Sequence, residues 1–289
     1  MDRVKEGYRL IAIDLDGTLL TSDKRITPRT RKVLHRAVET GMLILICTGR
    51  GLPQSMEVLE GIDIPMPLVL HNGAMIAEYP TGRVIERFPL RMDLAREAVG
   101  MMKEIGMTPA VYDYAAGEHL LVCEKGVCHN PALSRYVEGK GETLRWVEDL
   151  AEYVDHDVTQ VMTIDQKGLV LQAIERLERE LLDVRIITSG RVYSDSFWFL
   201  EVLSREASKA KSLERLGEMY GISPSQMVAI GDNFNDLNMF RYVGLSVAME
   251  NAPEEVKSSA DMIAPSNDEE GVAEVLERLI LQARRNKRR

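Results

Sequence analysis

The chain has 289 residues, 45% of them apolar and 28% charged, which excludes extended disorder, collagen-like and coiled-coil architectures. Lys and Arg number 36 against 45 Asp and Glu, a net charge of −9 that argues against nucleic acid as the main partner. Three cysteines are too few for a disulfide scaffold, no apolar run reaches the ~18–20 residues of a membrane span, and the charged N-terminus has no secretion-signal core. The expectation is a reduced, cytoplasmic protein of two domains.

Tyr8 to Leu15 (YRLIAIDL) is a nearly all-apolar run ending in acid, which suits a strand covered on both faces. Thr27-Pro28 is an N-cap with proline at the first helical position. Val33, Leu34, Ala37 and Val38 then share one helical face, and Gly41 stops the helix. Met42 to Cys47 is a second buried strand, 51–61 a loop with a short helix, and Leu68 to Leu70 a third strand entering His71-Asn72-Gly73. This βαβαβ opening predicts a doubly wound parallel sheet.

The rhythm then changes. Met75 to Tyr79 and Val84 to Phe88 flank a Pro80-Thr81-Gly82 turn, a hairpin pattern. Asp93 is the expected cap of a helix burying Leu94, Ala98, Met101, Met102 and Ile105. Val111 to Cys123 reads as mixed and turn-rich, Gln160 to Ile164 as a strand, Gly168 to Leu182 as a helix and Val184 to Thr188 as a strand. Residues 87–191 are therefore expected to form an inserted α+β domain, with 1–86 and 192–289 as the core. The βα rhythm resumes with a helix over 208–217, strands at Met227 to Ile230, Leu245 to Met249 and Met262 to Ala264, and helices at 236–242, 253–260 and about 269–284. The basic run Arg284, Arg285, Lys287, Arg288 and Arg289 reads as a helix end and a solvated tail.

In open α/β sheets, function gathers beyond the carboxyl ends of the strands. Those positions hold Asp14, Asp16, Gly17 and Thr18; then Thr48, Gly49 and Arg50; then Asn72; and then Asp232, Asn233, Asn235 and Asp236. Two acidic clusters at buried strand ends repel each other unless something positive lies between them. Hard oxygen donors without His or Cys suit Mg²⁺, whose open positions take water and phosphate oxygens. Lys209 supplies a point charge, so the set describes a phosphoryl-handling site. In a strand, residues i and i+2 point the same way, so Asp14 and Asp16 are expected to face one cavity. Burial and a neighbouring carboxylate are expected to raise Asp16 from about 3.9 into a useful range for an acid, while the cation keeps Asp14 ionised.

DLDGTLL, CTGR, HNGA, SKAKSLERL and GDNFND, in this order, resemble the haloacid dehalogenase superfamily of phosphohydrolases. The insertion after HNGA resembles the C2-type cap of its Cof-like subgroup, on a Rossmann-like α/β core, and AMENAPEEVKSSAD is similar to that subgroup's closing segment. The resemblance implies a Mg²⁺-dependent phosphatase of small phosphorylated metabolites. Asp14 would be the nucleophile and a metal ligand. Asp16 would be the general acid/base and a metal ligand through its carbonyl. Leu15, Thr48, Gly49, Lys209 and Asn235 would hold phosphate, Asp232 would ligate Mg²⁺, and Asp236 would support it. Ala210 stands where the family usually has glycine. A phosphomutase of the same superfamily shares these motifs. A non-catalytic receiver-like module is the alternative from another class, though it has no use for a second acid or a large insertion. No nucleic-acid or membrane partner is expected.

Outside these motifs the readings are structural. Arg50 is left open between a phosphate contact and an ion pair. Cys123-x4-Cys128-His129 does not fit zinc spacing. His156 reads as a solvated loop residue, and Trp146 and Trp198 as packing anchors.

Overall fold

The computed structural model describes residues 7–126, 130–189, 193 and 196–286. The chain forms two compact units, residues 1–86 with 208–289, and residues 87–207. In chain order the first unit begins with β1 (Leu10–Ile13), α1 (Pro28–Glu39), β2 (Leu43–Cys47), α2 (Leu52–Val58), β3 (Met66–Leu70), β4 (Met75–Tyr79) and β5 (Val84–Arg87). The second holds α3 (Met92–Glu104), β6 (Ala110–Ala115), β7 (Glu118–Glu124), α4 (Pro131–Glu138), β8 (Leu144–Val147), α5 (Leu150–Tyr153), β9 (Gln160–Gln166), α6 (Lys167–Glu180), β10 (Val184–Ser189) and β11 (Phe197–Ser204). The first unit then resumes with α7 (Lys209–Tyr220), β12 (Met227–Gly231), α8 (Leu237–Tyr242), β13 (Leu245–Met249), α9 (Glu254–Lys257), β14 (Met262–Ala264) and α10 (Gly271–Asn286).

The first unit is built on an eight-stranded sheet in the order β14-β13-β12-β1-β2-β3-β4-β5. The run from β14 to β3 is parallel, and β4 pairs antiparallel with β3. The doubly wound sheet thus carries its hairpin as an antiparallel edge. All residues of β1, β3 and β12 are buried, because both faces of the sheet are covered. Thr27 caps α1, its side chain accepting from the Thr30 N–H, and Pro28 opens the helix. Val33, Leu34 and Ala37 form its buried face, and α1 packs on α10.

The second unit is a six-stranded sheet in the order β10-β11-β9-β6-β7-β8, antiparallel except for β7 beside β8. Alternation sorts its strand residues to two faces. Val111, Val122, Val161, Leu200 and Val202 join α3, α5 and α6 in one cluster. Ala110, Tyr112, Leu121, Met162 and Ile164 join α4 in another.

Several expectations change. The return to the core comes at residue 208 and not 192, because β11 pairs with β9 and β10 and so belongs to the second sheet. The stretch from Val111 to Cys123 is a regular hairpin, turned at Ala116 and Gly117, both at positive φ (51° and 86°). Asp93 lies in the first turn of α3 and pairs with Arg91, which holds the cap position. Trp146 is 44% exposed and anchors no core, whereas Trp198 packs against the larger cluster. His156 is tied down: its ring nitrogens meet Asp113 Oδ2 at 2.8 Å and Asp155 Oδ1 at 2.7 Å. Cys128, His129 and the last three basic residues lie outside the described residues. Among the described residues no helix is long and apolar enough to cross a membrane.

Candidate active site

Parallel pairing sets the site at one end of the first sheet. Ile13 lies opposite Ile230, so the residues that follow β1 and β12 leave the sheet side by side. The Asp14 N–H donates to the Ile230 carbonyl at 3.0 Å, continuing the ladder by one residue. On the other flank, the Thr48 N–H after β2 donates to the Val69 carbonyl at 2.8 Å.

Lys209 opens α7, capped by Ser208, whose hydroxyl accepts from the Lys211 N–H at 3.0 Å. Gly73 permits this approach. Its φ is +105°, and a Cβ there would lie 2.3 Å from the Ser208 carbonyl carbon. Lys209 is 1% exposed, and its Nζ donates to Asp14 Oδ1 at 2.6 Å and to Asp236 Oδ1 at 2.7 Å. The expectation that a positive group separates the two acidic clusters is met by this side chain. Asp236 Oδ2 accepts from the Asp232 and Asn233 N–H groups, both at 3.0 Å, which folds the GDNFND turn around it.

Asp232 Oδ1 accepts from the Thr18 hydroxyl at 2.8 Å. Gly17 makes room for the other oxygen: at φ +79°, a Cβ would lie 2.3 Å from Asp232 Oδ2. Asp14, Asp232 and Asp236 each offer an oxygen, all within 4.8 Å of one another. Burial drives the Asp14 carboxyl well above the usual range, with Lys209 opposing and Asp236 and Asp232 reinforcing. Burial, then the Asp236 charge, pushes Asp232 up to about 7. Burial works against the Lys209 charge, but Asp14 and Asp236 outweigh it and hold the ammonium above its usual range. Three carboxylates around one ammonium leave excess negative charge in a buried place. This oxygen-only set fits a hard divalent cation.

Asp16 departs from expectation. It does not share the cations that hold Asp14. Arg50 grips it with Nε on Oδ2 at 2.6 Å and Nη2 on Oδ1 at 2.7 Å, and Lys24 Nζ adds a bond to Oδ1 at 2.7 Å. Burial alone would raise its carboxyl, but the Arg50 and Lys24 bonds and charges hold it down at about 2. The expected upward shift of Asp16 is overturned. Of the two readings left open for Arg50, the ion pair is the one this structure displays.

Thr48 is buried, and its hydroxyl accepts from the Arg50 N–H at 3.1 Å. Gly49 faces Asn72, whose Nδ2 lies 3.2 Å from where a Cβ would sit. Asn235 Nδ2 donates to Asn72 Oδ1 at 2.9 Å, joining the third and fourth strand ends. Leu15 is wholly buried between the two acids, and its carbonyl accepts from the Leu20 N–H at 2.9 Å. Sequence reasoning placed no role on Thr18, Asn72 or Lys24. Thr18 and Asn72 sit inside motifs already marked, so their neighbours signal them. Lys24 lies in no motif and carries no such signal.

Comparison with known proteins bears on the whole chain. A family model for haloacid dehalogenase-like hydrolases matches residues 11–276. The 5-amino-6-(5-phospho-D-ribitylamino)uracil phosphatase YwtE of Bacillus subtilis is 27% identical over 290 residues, covering 94% of this chain and 98% of its own. The pyridoxal phosphate phosphatase YbhA of Escherichia coli is 27% identical over 274 residues, covering 93% and 97%. A crystal structure of a haloacid dehalogenase-like hydrolase from Bacteroides thetaiotaomicron is 28% identical, covers 94% and 99%, and superposes with a TM-score of 0.78. With the family match and these relatives spanning nearly its whole length, the chain belongs to the haloacid dehalogenase-like hydrolases and is a phosphatase enzyme among them.

Proposed function

We propose that this phosphatase hydrolyses monoesters of small phosphorylated metabolites with Mg²⁺, through an aspartyl-phosphate on Asp14. The observation that carries the reading is the buried Lys209 joining Asp14 to Asp236, with Asp232 completing three carboxylates within 4.8 Å. Asp14, Asp232 and the Asp16 carbonyl would hold the metal, and Asp236 would support it, since Lys209 and two backbone N–H groups already engage its oxygens. When bound, the cation supplies charge neutralisation between an anionic nucleophile and a phosphate dianion.

The chain's own residues then divide the work. Lys209 holds one oxygen of Asp14, which orients the carboxylate for attack. An Asp14 oxygen bonds to phosphorus as the ester P–O bond breaks, and Asp16 gives its proton to the leaving oxygen. In the second half, Asp16 takes a proton from water, the water oxygen bonds to phosphorus, and the bond to Asp14 breaks, releasing inorganic phosphate. Leu15, Thr48, Gly49, Lys209 and Asn235 would hold the phosphate oxygens. Residues 87–207 would serve as the substrate-selecting cap. The two phosphatases named above are named for different small phosphorylated compounds, so the class carries over and the individual compound does not.

The test is phosphate release from a panel of phosphorylated metabolites with Mg²⁺, for the wild type and Asp14→Asn. The substitution is isosteric, so the fold is expected to survive while turnover vanishes. Near-wild-type turnover by the folded variant would remove Asp14 from the role.

A further inference from the structure

Asp16 carries two cations. Arg50 takes both of its oxygens, and Lys24 shares Oδ1 with Arg50 at the same distance of 2.7 Å. The group is partly open, with side-chain exposures of 22% for Arg50, 39% for Asp16 and 56% for Lys24. The fork of Arg50 already engages both carboxylate oxygens, which leaves little reason for a second cation on the same group.

Lys24 is nevertheless held in place with care. Its φ of 60° lies in the left-handed region, which a lysine adopts only at a cost. The turn that imposes this is well tied. The Thr21 N–H donates to the Arg25 carbonyl at 2.9 Å, and the Lys24 N–H to the Thr21 carbonyl at 2.8 Å. Ser22 donates its N–H and hydroxyl to Asp268, at 2.7 and 2.6 Å. A strained, anchored backbone aims Lys24 at a carboxylate that Arg50 already grips.

We infer that Arg50 and Lys24 form an anion subsite, filled by the Asp16 carboxylate in the free protein and by a second anionic group on the substrate's leaving portion in the complex. The inference rests on the phosphatase reading of this same site. To protonate an ester oxygen, Asp16 has to turn away from its two partners. Arg50 and Lys24 then face each other as like charges without their shared counterion. A carboxylate or second phosphate on the leaving group restores the balance, and the planar fork of Arg50 suits either one. The transferred phosphoryl group has its own partners in Lys209 and Thr48. The favoured substrates are therefore phosphate monoesters bearing a second negative charge.

Matched pairs test this: glycerate 3-phosphate against glycerol 3-phosphate, and fructose 1,6-bisphosphate against fructose 1-phosphate. The wild type is expected to favour the anion-bearing member of a pair by about 10-fold or more in kcat/KM, the scale of one charge-assisted bond. Lys24→Gln and Arg50→Gln are expected to cut that preference to within about 3-fold, losing more on the anion-bearing member. No preference in either pair would overturn the subsite. So would equal losses on both members, which would assign the cations to the transferred phosphoryl group. Calorimetry of the same compounds on Asp14→Asn, with and without Lys24→Gln, reads the subsite without turnover. A binding preference without any wild-type turnover sinks the phosphatase reading alone, and turnover without a preference sinks the subsite alone.

Discussion

Asp14 and Lys209, 195 positions apart in the sequence, meet at 2.6 Å inside the first unit, where both side chains are almost wholly buried. One contact ties the end of β1 to the start of α7 and sets the charge balance of the site. Lys209 is the only cation bonded to Asp14 among the described residues, and it serves Asp236 as well.

Removing that cation should therefore cost more than a surface ion pair would. Lys209→Met keeps much of the side chain's volume but leaves two buried carboxylates without their counter-charge. Breaking a buried pair from one side typically costs about 3–5 kcal/mol. The variant's urea midpoint, measured without Mg²⁺, should fall accordingly. An unfolding free energy within about 1 kcal/mol of wild type would mean that water or proton uptake already screens the cluster.

Asp232 should behave in the opposite sense. Its carboxyl is pushed up to about 7 from an ordinary 3.8, so the folded protein binds more protons than the unfolded one between those values. Its contribution to stability is then unfavourable above about 7 and disappears as the pH falls towards 3.8. In EDTA, Asp232→Asn should raise Tm at pH 8 and do so less at pH 5. Adding Mg²⁺ should stabilise the wild type, by about 2.7 kcal/mol at a hundredfold excess over Kd, and the variant far less. Activity should vanish with EDTA, return with Mg²⁺ and be inhibited by Ca²⁺, whose looser coordination misplaces the reacting groups. A Tm gain with Mg²⁺ that survives Asp232→Asn would take this residue out of the metal site.

In the second unit, His156 gives a separate pH signal. The Asp155 bond raises its pKa, burial works against this, and Asp113 adds to the rise. The stabilisation is complete below the ordinary 6.5 and is lost as pH climbs through the raised value. The Tm difference between wild type and His156→Gln should be larger at pH 6 than at pH 9. A constant difference would mean that the ring acts only by packing.

The parts of the fold legible in the sequence are those specified locally. β1 and β13 announce themselves as short apolar runs, and α1 by Thr27, Pro28 and its apolar stripe. The hairpin of β6 and β7 escapes because Ala116 takes a positive φ that its side chain does not advertise. β11 is assigned to the wrong domain because its partners, β9 and β10, are found only through pairing across the sheet. The site shows the same division. Motif residues at strand ends can be read from their spacing. The pull of Lys24 and Arg50 on Asp16 depends on a strained turn and a guanidinium direction, and neither has a sequence signature.

That pull sharpens the last prediction, which concerns Asp16 as general acid and base. In the free protein its carboxyl is held at about 2, too acidic to donate a proton near neutrality until Arg50 and Lys24 let go. If it donates once released, Asp16→Asn should cut kcat by roughly 10²–10⁴, the usual worth of a positioned proton transfer. The loss should be greater for an alkyl phosphate than for p-nitrophenyl phosphate, whose leaving group departs with little protonation. The aspartyl-phosphate should also persist longer, because the attacking water loses its base. Unfolding is not expected to explain these losses. The Asp16 side chain is 39% exposed, which screens the loss of its bonds to Arg50 and Lys24, so the variant should melt somewhat below wild type and still be folded at assay temperature. The measurement is kcat for both proteins on one alkyl and one aryl ester, with a Mg²⁺ titration and a melting curve for each. Equal losses on the two esters would deny Asp16 the acid role. Altered Mg²⁺ affinity together with equal losses would assign it to holding the metal, and the proton would have to come from elsewhere in the site.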